Sequence, residues 1–253
     1  MKGRGIEMTL CEGYSMTGTS GVNGDAYYIS PDKTTFLLAD GASGAGSKGK
    51  VLMSNLCVEM MKNNPFSSTE LSPKDYLDQL IWKINNKLIA ISQEEKHNIF
   101  GTIVIGIVKD HVGTIAAIGD SPAFLIHDSR IVRIAKTRKT YYNLVEMGLY
   151  SEQQIEEAVQ KLPEHMWSMF DRYIPMIVPV YVIEEIRLNK KDMIVFCSDG
   201  ISDYMQPDDI KNTLREENFL ESMKTVINTA KENSIRERKC VQYDDLTLLV
   251  YMH

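Results

Sequence analysis

Apolar positions along the chain follow two rhythms. Short apolar runs between turn residues predict strands at Ala26–Ser30 and Thr34–Ala39. Phe100–Val108 and Val112–Ile118 predict two more, joined as a hairpin through Lys109-Asp110-His111. Pro122–Ile126 and Ile131–Ile134 flank His127-Asp128-Ser129-Arg130 and predict a second hairpin. Elsewhere apolar residues return every three or four positions. Val51–Met61 predicts a helix after a Gly-rich loop over Asp40–Gly49. Ser72-Pro73 is a helix-start signal, continued by Tyr76, Leu80, Ile84, Leu88 and Ile91 at helical spacing. Tyr141–Gly148 and Glu152–Lys161 are helical patterns, and Ile177–Ile186 and Met193–Cys197 are strand-like. Two further helices and a closing strand at Leu246–Met252 complete the pattern.

Hairpins in the middle and helices in pairs predict an α+β fold: two stacked, mainly antiparallel β-sheets flanked by helices. No repeat, low-complexity tract or Pro/Gly linker divides the chain, so residues 1–253 are expected to form a single domain with a sizeable core. The helical stripe containing Trp82 and Ile84 is expected to pack in that core. Trp167 and Phe170 either line a substrate-facing flap or are packed, and Glu216-Glu217 and Arg236–Lys239 read as solvated faces.

Composition narrows the chemistry. A net charge of −6 argues against nucleic acid or an anionic membrane as partner, and suits a protein that collects divalent cations. Cys11, Cys57, Cys197 and Cys240 form no CxxC pair, which excludes the usual zinc and thioredoxin spacings and predicts buried free thiols. No stretch has the apolar core of a signal peptide and no run is long enough to span a bilayer, so the expected compartment is the cytoplasm.

The acids carry the sharper signal. Asp25 sits just before a strand pattern, Asp40 ends one as Asp40-Gly41, and Asp120 follows one in Gly119-Asp120-Ser121. Asp199 ends another as Ser198-Asp199-Gly200, and Asp244-Asp245 opens the last. Strand ends distant in sequence can meet at one edge of a sheet. Carboxylates gathered there repel unless cations neutralise them, and all-oxygen donors favour Mg²⁺ or Mn²⁺ over zinc. A glycine after the acid lets the backbone approach closely enough for its carbonyl to reach an ion too. The plainer use of an Asp-Gly pair is a turn, and spacing alone leaves both readings standing.

Taken in order, these segments resemble the PP2C family of metal-dependent protein serine/threonine phosphatases along nearly the whole chain. Val22-Asn23-Gly24-Asp25-Ala26 resembles its opening Asn-Glu-Asp box, and Ala39-Asp40-Gly41 its Asp-Gly box. Phe100-Gly101-Thr102 resembles its Gly-Thr-Thr strand, and Gly119-Asp120-Ser121 its Gly-Asp-Ser box. Asn143-Leu144-Val145 through Gly148, with Ser151-Glu152, is similar to the helical segment that follows. Cys197-Ser198-Asp199-Gly200-Ile201-Ser202-Asp203 resembles the Asp-Gly-Leu-x-Asp box, and Asp244-Asp245-Leu246-Thr247 the closing Asp-(Asn/Asp)-x-Thr strand.

The resemblance implies a phosphoprotein substrate, hydrolysed at phosphoserine or phosphothreonine by water activated at a binuclear Mg²⁺ or Mn²⁺ centre. It implies that Asp25, Asp40, Asp199 and Asp244 are the catalytic acids, holding two core cations together with the Gly41 carbonyl. Asp120, with Asp199, would serve a third cation, and Asp245 would fill the neighbouring Asn/Asp position. No Cys-x5-Arg loop offers a thiol nucleophile instead.

Three positions depart from the family pattern. Ser20 stands where a phosphate-gripping arginine is common, Ala42 where a histidine often follows the Asp-Gly pair, and Gly24 where glutamate is usual. Gly24-Asp25 resembles the branch of sporulation and stress-response phosphatases. Lys48 or Lys50 is available in place of the arginine, the alternative being solvated loop lysines. Two rival functions follow. Ser20 and Ala42 keep open a weakly active or inactive PP2C-like regulator that binds phosphoproteins. Gly44-x-Gly46-x-x-Gly49 matches a dinucleotide fingerprint, and Gly44-x4-Gly49-Lys50 nearly matches a P-loop, which points to a nucleotide-binding enzyme. Against it, Val51 stands where a P-loop needs Ser or Thr, and the next strand lies far beyond a βαβ unit.

Overall fold

The computed structural model describes residues 10–135, 151, 153–154, 174 and 181–253. Two five-stranded sheets account for the strands within them. The first runs β1 (Leu10–Met16), β10 (Leu246–Met252), β9 (Met193–Cys197), β6 (Ala123–His127), β7 (Arg130–Ile134). The second runs β2 (Asp25–Ile29), β3 (Thr35–Gly41), β4 (Gly101–Lys109), β5 (Val112–Ile118), β8 (Val182–Arg187). Every pairing among these strands is antiparallel. The dinucleotide reading of the Gly-rich loop needs a parallel βαβ unit, and the described strands do not supply one.

Burial on both faces explains why the inner strands read as unbroken apolar runs. Phe36 and Leu38 of β3 face the other sheet and cluster with Val104, Ile115, Phe196, Leu249 and Tyr251. The Phe36 ring lies 5.2 Å from Phe196 and 5.3 Å from Tyr251, knitting the sheets together. Leu37 and Ala39 point the other way, against Met53 of α1 (Gly46–Asn63) and Leu77, Ile81 and Ile84 of α2 (Pro73–Glu95). The first sheet is covered in the same manner. Three helices follow β9, namely α3 (Asp199–Ser202), α4 (Pro207–Thr213) and α5 (Phe219–Arg238). From α5, Met223, Val226, Ile227 and Ala230 pack over Val195, Leu248 and Val250. The layers are helix, sheet, sheet, helix, as the α+β reading expects.

Local signals act where the sequence places them. Both hairpins form, and their turn residues Asp110–His111 (φ 50° and 61°) and Asp128–Ser129 (φ 44° and 65°) are left-handed pairs, the geometry that suits the twist of the flanking strands. Ser72 caps α2 by accepting a hydrogen bond from the Asp75 N–H at 3.1 Å, with Pro73 in the first helical position.

Other elements differ from the sequence reading. β1 went unread, because only Cys11 of its residues is fully buried and its strand character comes from pairing with β10. Helix α1 begins at Gly46 rather than Val51, so part of the Gly-rich loop is helical. Three helices, not two, follow β9, the extra one being the short α3. Trp82 is 36% exposed while Ile84 is fully buried, since positions two apart face different sides of a helix. Cys240 is exposed, whereas Cys11, Cys57 and Cys197 are buried as expected. The pattern at Tyr141–Gly148, most of Glu152–Lys161, the first part of Ile177–Ile186, and Trp167 and Phe170 lie outside the described residues. No described helix is long and apolar enough to cross a membrane.

Candidate metal centre

Antiparallel register gathers the acids at one rim of the sandwich. Asp25 opens β2 and pairs with Asp40 near the end of β3, Asp40 pairs with Thr102 at the start of β4, and Gly41 pairs with Gly101. β4 and β5 run to their hairpin and back, so Gly119-Asp120 leaves β5 at the same rim, just after Ile118 opposite Ile103. In the other sheet Cys197 pairs with Leu248, which brings the start of α3, with Asp199, beside Asp244 and Asp245. A Cβ at Gly41 would lie 2.1 Å from the Lys50 carbonyl oxygen, and one at Gly200 would lie 2.2 Å from that of Asp245. The glycine after each acid therefore serves close backbone approach. Gly41 is itself a strand residue, not a turn.

Charge at this rim is concentrated rather than balanced. Asp25 is 8% exposed, and its Oδ2 has no hydrogen-bond partner. Burial pushes its carboxyl up to about 7, helped by the charges of Asp245 and Asp199 and opposed by the Thr247 and Ser198 hydroxyls. Asp40 is held well above the usual carboxylate range by burial first, then by Asp25, Asp244 and Asp120. Asp199 is raised likewise, by the charge of Asp40 first, then by burial, Asp244, Asp120 and Asp203. Asp25, Asp40, Asp120, Asp199 and Asp244 thus occupy one electrostatic neighbourhood. Among the described residues, no three His, Cys, Asp or Glu side chains form a group that could hold an ion as they stand. The donor set nevertheless fits a hard divalent cation: it is all oxygen, mutually repelling, and includes a buried acceptor without a donor.

Hydroxyl and amide contacts hold the acids in place. Asn23 Oδ1 accepts the Asp25 N–H at 2.9 Å, and Asn23 Nδ2 donates to Ser15 Oγ at 2.9 Å. Ser15 Oγ meets Thr247 Oγ1 at 2.7 Å, so both sheets support Asp25. Thr102 Oγ1 and Ser121 Oγ are 2.5 Å apart, tying β4 to the residue after Asp120.

Lys50 is the part the sequence reading placed wrongly. It is no solvated loop lysine. It belongs to α1, its side chain is 5% exposed, and its Nζ lies 2.7 Å from Asp245 Oδ2 and 3.3 Å from Ser20 Oγ. Asp245 also accepts the N–H groups of Gly18 at 2.7 Å and Gly24 at 2.8 Å, joining the loop before β2 to β10 and α1. A Cβ at Gly24 would lie 2.6 Å from Lys50 Cδ, so the glycine found there makes room for the lysine stem. One signal was available in sequence: Lys50 shares a helical face with the buried Met53, Ser54 and Cys57. Lys48 instead pairs with Glu95 at 2.5 Å on the surface.

Comparison with known proteins identifies the family. The family model described as protein phosphatase 2C matches residues 12–241. A protein phosphatase 2C-type protein of Streptococcus pyogenes serotype M6 is 27% identical over 187 residues, covering 72% of each chain. The serine/threonine phosphatase PstP/Ppp of Mycobacterium tuberculosis is similar in fold, with a TM-score of 0.75 at 20% identity over 96% of this chain and 98% of that one. A structure of the PstP catalytic domain in complex with two manganese ions gives a TM-score of 0.74 at 18% identity over 96% and 97%. The family match includes Asp25, Asp40, Asp120 and Asp199 and stops just short of Asp244, and the chain belongs to the protein phosphatase 2C family.

Proposed function

We propose that this chain is a phosphoprotein phosphatase that hydrolyses phosphoserine and phosphothreonine at a two-cation Mg²⁺ or Mn²⁺ centre. In this reading Asp25, Asp40, Asp199, Asp244 and the Gly41 carbonyl hold the core ions, and Asp120 with Asp199 serves a third. The observation that carries it is the mutual raising of Asp25, Asp40 and Asp199, contributed by both sheets to one rim. Such crowding is destabilising unless positive charge arrives. The manganese ions of PstP, a neighbour in fold, support the choice of cation. The unit doing this is taken to be a single domain over residues 1–253, acting in the cytoplasm.

Bound divalent cations supply charge that lowers the pKa of water and offsets charge building on the phosphoryl oxygens. The chain itself orients the carboxylates through the Ser15, Asn23, Thr102, Ser121, Ser198 and Thr247 contacts. Among the described residues it offers no ready thiol nucleophile at the rim: Cys197 is fully buried and its thiol is pushed up by burial. Of the described histidines, His111, His127 and His253 lie at the hairpin-turn rim, and His97 lies in the loop between α2 and β4. Complete acids favour turnover over a binding-only regulator. The test is phosphate release from phosphoserine and phosphothreonine peptides by chelator-stripped protein titrated with Mn²⁺ or Mg²⁺. Release should need the metal; hydrolysis that persists in excess chelator contradicts the reading.

A further inference from the structure

A phosphate ester entering a rim of five carboxylates is repelled unless the protein also presents a cation to it. Ser20 carries no charge. Lys50 is buried against Asp245, and Lys48 is engaged by Glu95. Arg133 differs from both. It is an exposed residue of β7, the outermost strand of the first sheet. Its Nη2 donates to the main-chain oxygen of Asp120 at 3.1 Å, and it makes no ion pair among the described residues. It also lines a cavity of about 410 Å³ together with Asp120, Asp199 and Asp203, against an apolar wall of Phe124, Ile131 and Met205.

We infer that Arg133 binds the phosphoryl group of the substrate from this cavity, an assignment that rests on the phosphatase reading above. A guanidinium presents five N–H donors in a planar fork that matches two oxygens of a phosphate. The Asp120 carbonyl occupies one donor without neutralising the charge, which leaves the cation for an anion. The same contact fixes the guanidinium against the residue whose carboxylate shares the cavity, so phosphate held by Arg133 lies beside Asp120 and Asp199. The apolar wall displaces water from one side and strengthens the attraction.

Arg133→Gln and Arg133→Lys test the assignment, with inorganic phosphate as the probe. In Arg133→Gln, phosphate binding to the Mn²⁺-loaded protein, followed by calorimetry, should weaken about 10- to 100-fold. KM for a phosphothreonine peptide should rise by a similar factor, with kcat changing less. Arg133→Lys should recover part of both, because the charge returns without the fork. Mn²⁺ affinity and melting temperature should stay at wild-type values. Unchanged phosphate binding and KM in Arg133→Gln overturn the inference. So does a loss of Mn²⁺ affinity and kcat at constant KM, which would make Arg133 a support for Asp120. A wild-type protein that releases no phosphate with any metal refutes the phosphatase reading itself, whereas an active wild type with an indifferent Arg133→Gln refutes only the role of Arg133.

Discussion

At the rim made by the hairpin turns, polar side chains are paired with one another. His111 Nδ1 meets His253 Nε2 at 2.7 Å, and Tyr251 Oη lies 3.1 Å from His253 Nδ1. His127 Nδ1 meets Asp192 Oδ1 at 2.7 Å, while Asp192 Oδ2 accepts the Asn189 N–H at 2.8 Å. At the opposite rim five carboxylates face one another, three are raised by burial and like charge, and Asp25 Oδ2 has no donor. One rim closes the fold with satisfied contacts; the other holds an electrostatic strain that positive charge relieves. The same strands produce both, because antiparallel order sends the β2–β3, β4–β5 and β6–β7 hairpin turns to one end and the acids to the other.

The sharpest way to break this contrast is Asp199→Asn. Metal-dependent hydrolysis should fall about 100- to 1000-fold. The metal-free protein should nonetheless melt higher, because the charge that Asp40 and Asp244 oppose is gone. A variant that retains activity, or loses metal-free stability, removes the basis for treating the rim as a strained site. Lys50→Met probes the one balanced pair at that rim among the described residues. It leaves Asp245 buried without its cation, and urea unfolding should show a loss of about 3–5 kcal/mol. Adding Asp245→Asn should restore part of it. A loss under about 1 kcal/mol would rank the pair with exposed ion pairs that contribute little.

The smallest effect belongs to the paired rim. The hydrogen bond and charge of Asp192 raise His127 above its ordinary 6.5. The folded state therefore favours the protonated ring. That stabilisation is fully present below pH 6.5 and is lost as pH rises through the raised value. His127→Gln should lower the melting temperature slightly in mild acid and leave it unchanged in alkaline buffer. A difference that grows with pH contradicts the pairing.

The inner strands were legible because burial on two faces leaves a continuous apolar run. Met193–Cys197 and Leu246–Met252 agree with the structure to the residue. β1 left no such run, since its order comes from β10, more than two hundred positions away. The acids were legible as motifs, but their meeting was not, because register belongs to strand pairing and not to local composition. Lys50 illustrates the limit most clearly. Its burial depends on the space at Gly24 and the charge of Asp245, so two remote residues decide what a lysine in a Gly-rich segment does. Arg133 read only as part of a hairpin strand, because its cavity is completed by residues after β9.

β10 lies between β1 and β9, and Asp244 stands at its entrance. The second sheet supplies Asp25, Asp40 and Asp120, and the first supplies Asp199 and Asp244. During synthesis, then, the rim cannot assemble until Asp244 and the strand behind it have left the ribosome. A nascent or prematurely terminated chain that lacks Asp244 and Leu246–Met252 should therefore release no phosphate.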